Sequence, residues 1–171
     1  MPRYVAFLRG VLPTNCKMPA LKAAFEHAGF TNVKTVLGSG NVIFDARTAP
    51  VSTLEKKAEA AMQSQLGRTF YTIIRTQAEV QGLFDRNPFA KAKVPAGAKC
   101  VVSFSRTPPV ATVKLPISES GATVLAVEGR EAFTCYGKTP DGPVFMRLIG
   151  QALGKEQTTR TWDTVRKCAT A

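Results

Sequence analysis

Thr35-Val36-Leu37-Gly38-Ser39-Gly40-Asn41-Val42-Ile43-Phe44 sets two short apolar runs on either side of Gly-Ser-Gly-Asn. The flanks are β-branched and aromatic, and glycine's access to positive φ suits a tight turn. Val33–Leu37 and Asn41–Asp45 are therefore predicted to pair as a β-hairpin closed by Gly38-Ser39-Gly40. The same glycines would also suit a small ligand-cradling loop. Their spacing matches neither GxGxxG nor the P-loop pattern and no GK[ST] follows, so the glycines alone encode no phosphate site.

Working outward, Tyr4–Leu8 is apolar on both strand faces, as a central strand requires. A polar loop, Pro13 to Lys17, leads to Pro19 near a helix start; Leu21, Ala24, Phe25 and Ala28 recur at helical spacing, and Gly29 supplies the stop. Beyond the hairpin, Ser52 and Glu55 have the spacing of a capping box. Leu54, Ala58, Ala61, Met62 and Leu66 then form an apolar stripe ending at Gly67. Phe70–Arg75 completes strand-helix-strand-strand-helix-strand, the ferredoxin-like order (βαββαβ), over residues 1–75.

Residues 76–98 read as a connector. Thr76 and Glu79 form a second capping box, Val80, Leu83 and Phe84 a short amphipathic helix, and Asn87-Pro88 its end; 89–97 reads as linker. Residues 99–171 repeat part of the first half. Lys99–Ser105 is a strand, the Pro108-Pro109 region replaces a helix with loop, and Thr123–Glu128 pairs with Glu131–Tyr136 across Gly129-Arg130. Pro143 opens a helix whose Phe145, Leu148, Ile149 and Ala152 face inward until Gly154. Thr158–Thr161 is a last strand. Thr161 then caps a terminal helix with Trp162 and Val165 on one face, Asp163 in its first turn and Arg166 and Lys167 in its last. The fold class is α+β: two related subdomains, the first ferredoxin-like, the second an incomplete version, plus a C-terminal helix.

A chain of 171 residues buries enough surface to fold without metal or disulfides. Its 23 Lys+Arg against 12 Asp+Glu give a formal charge of +11, which points to an anionic partner, a small molecule or nucleic acid. The charge is spread, with ten basic and four acidic groups in 1–75 and ten and six in 99–171. The N-terminal apolar run is too short for a signal-peptide core or a membrane span, so a cytoplasmic protein with no membrane partner is expected. Cys16, Cys100, Cys135 and Cys168 have no metal-ligand spacing and read as reduced core residues. His27, the single histidine, stands at a helix end. No metal site, no cofactor and no Ser-His or Cys-His pair is expected.

In a ferredoxin-like sheet the end of the first strand lies beside the hairpin and the start of the first helix. That edge would collect Arg9, Asn15, Lys17, Ser39 and Asn41, with Arg160 as a further candidate, into an anion site. Each also has a plainer role: turn capping for Asn41, a strand-end charge for Arg9. An RNA-recognition module shares the strand order and would use Tyr4, Phe7 and Phe44 as a stacking platform, but the third strand offers one aromatic where such modules have several. For catalysis, Asp45, Glu128, Glu131, Asp141 and Asp163 form no recognisable pair, and Trp162 reads as the anchor of the last helix.

Together "RYVAFLRG", "KMPALKAAFEHAGFTNVKTVLGSGNVIF", "NPF" at Asn87–Phe89 and "TTRTWDTVRKC" resemble the bacterial domain of unknown function 1697 family over essentially the whole chain. The resemblance implies two related α+β subdomains, a cytosolic protein and no established activity, and it carries no catalytic residues. The chain departs from the commoner pattern at Val11 to Cys16, where a Gly- and Asn-rich loop is usual, and at Pro140-Asp141-Gly142-Pro143, in place of a Ser-Lys segment. The function expected is a binding module for an anionic ligand, nucleic acid or a phosphorylated metabolite. The alternatives are an enzyme with its site at the Arg9/Ser39/Asn41 edge and a protein-interaction module.

Overall fold

The computed structural model describes residues 1–92, 94–109, 113–137 and 142–171. These form two units, Met1–Gly82 with Arg166–Ala171, and Leu83–Val165. The first unit contains β1 (Arg3–Leu8), α1 (Met18–His27), β2 (Thr31–Thr35), β3 (Asn41–Asp45), α2 (Val51–Leu66) and β4 (Thr72–Thr76). Its sheet has the order β2-β3-β1-β4, every neighbour antiparallel, which is the ferredoxin-like arrangement. β1 is central, and Tyr4 to Leu8 are all buried, which is why both of its faces are apolar. Tyr4, Ala6, Leu8, Val42 and Phe44 form one core with Leu21, Ala24 and Phe25 of α1 and Leu54, Ala58 and Met62 of α2.

Three local expectations are corrected. The hairpin turn starts earlier than its glycines suggest: β2 ends at Thr35, Val36 donates its N–H to the Asn41 carbonyl (2.9 Å), and Leu37 takes positive φ (59°). Gly40 also has positive φ, at 86°, and Gly38 does not. The Ser52/Glu55 capping box does not form, because α2 begins at Val51 behind Pro50 and places Ser52 inside the first turn. Glu55 is instead buried, accepting the backbone N–H of Ile74 on β4 at 2.9 Å. Phe89, read as linker, is buried in a short helix α4 (Pro88–Lys91), which Asn87 caps through its side chain.

Between them, α3 (Gln77–Arg86) does carry its box: Glu79 accepts the Thr76 N–H at 2.7 Å, and Thr76 Oγ1 accepts the Glu79 N–H at 3.1 Å. The second unit has β5 (Lys99–Ser105), β6 (Ile117–Glu119), β7 (Ala122–Glu128), β8 (Glu131–Tyr136), α5 (Gly142–Leu153) and β9 (Gln157–Thr161) in a sheet of order β6-β7-β8-β5-β9. Without β6, this is the order of the first sheet. α5 packs Leu148, Ile149 and Ala152 on Ala122 and Val124. The last helix, α6 (Trp162–Thr170), starts as expected, with Thr161 Oγ1 accepting the Thr164 N–H. Trp162 stacks on Phe84 (4.1 Å between centroids) and meets Phe89 edge-on. In the first unit the end of the chain is fastened by Gln77, which donates to the carbonyls of Cys168 and Ala171, and by Gln81, which donates to that of Ala169. Among the described residues no helix is long and apolar enough to cross a membrane.

Candidate functional site

The two ends of the first sheet carry different chemistry. Where β1 ends, Leu8 donates its N–H to the Gly40 carbonyl at 2.8 Å, and the following loop seats Val11 on Gly40. Asn15 closes that loop, accepting the Leu12 N–H at Oδ1 (2.8 Å) and donating from Nδ2 to the Gly10 carbonyl (2.9 Å). Asn41 is fully buried, with Nδ2 donating to the Val36 carbonyl (2.8 Å) and to Ser39 Oγ (3.0 Å). Both asparagine amides are thus turned onto their own loops. Arg9, Lys17 and Ser39 are exposed, and α1 starts after Lys17 with no side-chain cap. Arg160 stands on β9 in the second unit, buried, with Nη1 donating to Thr158 Oγ1 (2.6 Å) and the Thr159 carbonyl (3.0 Å).

Where β1 begins, a cleft of ≈ 550 Å³ opens among the end of α1, the start of β2, the end of β3 and the first turns of α2. Its floor is Phe30, Ala46 and Leu54, all nearly buried; Arg47 and Lys57 stand exposed on its rim. Phe30 stacks on Phe44 at 4.3 Å, and Lys57 Nζ lies 5.8 Å from the Phe30 centroid, within cation–π range. No carboxylate is among the lining residues, and the first turn of α2 holds no acid to offset its positive end. Nearby Asp45 is already neutralised: Asn32 Nδ2 donates to Oδ2 at 2.6 Å and Arg3 Nη1 to Oδ1 at 2.8 Å. These bonds, the Asn32 one foremost, hold its carboxyl below the ordinary aspartate range.

Sequence reasoning missed this cleft because no motif spans it; residues 29–31 and 46–57 meet only once the helices are packed. The one hint was Arg47 and Lys57 flanking a helix start.

The RNA platform is not available: Tyr4, Phe7 and Phe44 are buried, and Tyr4 stacks on Phe44 at 5.7 Å. Of the acids, Glu128 and Glu131 stand opposite each other across the two-residue turn of β7 and β8, as the predicted hairpin over Gly129-Arg130 places them. Each is otherwise engaged, Glu128 in an ion pair with Arg86 (3.4 Å) and Glu131 accepting the Arg130 N–H (3.0 Å). Asp163 occupies the first turn of α6. Asp141 lies outside the described residues.

A family model described as "Protein of unknown function (DUF1697)" matches residues 1–133. Among solved structures the chain is similar to the conserved bacterial protein SP0830 from Streptococcus pneumoniae, with a TM-score of 0.72 and 14% identity, covering 99% of this chain and 97% of that one. At that identity the likeness speaks to the fold. No curated protein matches the chain.

Proposed function

We propose, for a chain that belongs to the DUF1697 family of proteins of unknown function, that it is a binding module for a small anionic molecule with an apolar body, a phosphorylated metabolite in chemical class. The observation that carries this reading is the ≈ 550 Å³ cleft, where an apolar floor over Phe30 meets Arg47 and Lys57 with no lining carboxylate. Binding sites for small molecules are mostly apolar concavities with a few placed polar groups, and two cations beside a helix start suit a phosphate. A second reading keeps the anion at the other edge, on Arg9, Lys17 and Ser39, favoured by the exposure of all three and by the start of α1 after Lys17 without a side-chain cap.

Calorimetric titration with phenyl phosphate and inorganic phosphate separates these readings. In the cleft, phenyl phosphate binds more tightly than inorganic phosphate. Arg47→Ala or Lys57→Ala weakens it by about 1–3 kcal/mol, the range for losing a charge-assisted hydrogen bond, with unchanged Tm. Loss through Arg9→Ala or Lys17→Ala instead, with the cleft variants binding normally, moves the site to the hairpin edge. Arg9→Ala that lowers Tm without touching binding makes Arg9 a structural residue. Failure of both phosphates to bind defeats the small-anion reading.

A further inference from the structure

We infer that Cys100 and Cys135 are a cross-strand dithiol that closes to a disulfide by exchange with a low-molecular-weight disulfide. Both are free thiols, and they stand directly opposite each other in the antiparallel β5–β8 ladder. The type of pairing follows from the end of that ladder. Ser105 donates its N–H to the Arg130 carbonyl at 3.1 Å, so positions 105 and 130 form a hydrogen-bonded pair. The ladder runs without a register shift from there to Lys99 and Tyr136, and pair types alternate along it, which makes Cys100/Cys135 a non-hydrogen-bonded pair. Such pairs bring Cα atoms to about 4.5 Å with both side chains on one face. Bridged cysteines have Cα separations of roughly 4.4–6.8 Å, so the bond forms without moving the strands apart.

Access is unequal. Cys100 is half-buried, whereas Cys135 is 4% exposed and lines a cavity of ≈ 280 Å³ with Pro95, Ala98 and Thr123. Cys100 is therefore the attacking sulfur. Its thiolate displaces one glutathione thiolate from oxidised glutathione, leaving a mixed disulfide on Cys100. The Cys135 thiolate then attacks Cys100 Sγ and releases the second glutathione. Two protein sulfurs are oxidised by two electrons, and the disulfide reagent is reduced to two thiols that take up the two cysteine protons. Burial raises both thiols above the ordinary cysteine range, and for Cys100 the neighbouring Cys135 raises it further. The pair thus holds its protons at neutral pH and exchanges slowly, responding to a sustained oxidising poise.

The test equilibrates the full chain with glutathione buffers of rising oxidised-to-reduced ratio, quenches with acid, alkylates free thiols and maps the peptides by mass. The expected result is a Cys100–Cys135 linked peptide that grows with the ratio, in a protein lighter by two hydrogens, and that disappears with dithiothreitol. Cys100→Ser abolishes the link; should that variant not fold, the wild-type peptide map decides alone. Stable glutathione on Cys100 with Cys135 still alkylated, a link to Cys16 or Cys168, or no oxidation at any ratio overturns the inference.

Discussion

Gly40 is where the hairpin meets the loop after β1, and two constraints fall on it together. Its φ is +86°, and a Cβ there would lie 2.8 Å from Val11 Cγ2 and 3.1 Å from Leu8 Cβ. Gly40→Ala is expected to cost about 1–3 kcal/mol in urea unfolding, from backbone strain plus overpacking. Gly38→Ala, with open space and no positive φ, should stay within about 0.5 kcal/mol. Equal stability of the two variants would contradict the packing argument. In sequence the two glycines are equivalent; Val11, almost thirty positions away, distinguishes them. Asp45 makes a prediction in pH. Its folded pKa lies below the unfolded value of about 3.9, so the unfolded chain takes up the proton first as pH falls. The stabilisation from Asn32 and Arg3 is complete above about pH 4 and is lost as pH drops through the lower folded value. The pair is partly exposed, which limits its worth to roughly 0.2–1 kcal/mol. Measured by denaturation, the stability gap between wild type and Asp45→Asn should shrink as pH falls below about 4. A gap that widens towards acid would refute the assignment.

At the scale of elements, one sequence pattern led to two outcomes. Ser52-x-x-Glu55 and Thr76-x-x-Glu79 have the same spacing, yet only the second is a capping box. Thr76→Ala should therefore cost about 1 kcal/mol, the usual loss of a helix cap, and Ser52→Ala almost nothing. Comparable losses by thermal or urea unfolding would mean that Ser52 caps α2 after all. Glu55→Gln tests the other half of the difference: its carboxylate satisfies the Ile74 N–H in a buried position, and weakening that bond should cost about 1–3 kcal/mol. Most helices and strands and their order were legible because periodicity, glycine stops and proline starts are local, and local patterns survive in the fold; the three-residue edge strand β6 (Ile117–Glu119) and the single turn of α4 were too short to show such a pattern. What stayed hidden was tertiary. Pro50 moved the start of α2 by two residues, Phe89 went from presumed linker to the ring cluster of Phe133 and Trp162, and Arg75 became a fully buried side chain on β4. The candidate cleft was hidden for the same reason, since it exists only where the ends of four elements meet.

For the whole molecule, the net charge of +11 acts on any polyanion, and the question is what form such binding takes. Specific readout would need side chains poised on base edges or exposed rings for stacking. Tyr4, Phe7 and Phe44, the aromatics placed where such a platform would stand, are at most 2% exposed. The basic residues, by contrast, are distributed through both halves of the sequence with no run of like charge. Affinity for duplex DNA is then a matter of counterion release, with log K falling linearly against log salt by about 0.9 for each phosphate neutralised. Fluorescence anisotropy with two duplexes of unrelated sequence should give parallel salt plots and nearly equal affinities. Arg9→Ala and Lys17→Ala should each lower the slope by at most about one phosphate's share and leave sequence preference unchanged. Binding that persists at high salt with strong preference for one duplex would require a recognition surface other than this diffuse field, and no binding at low salt would remove nucleic acid as a partner. Either result leaves the phenyl phosphate titration of the cleft as an independent measurement, because the proposed small-anion site over Phe30 rests on Arg47 and Lys57 and not on the total charge.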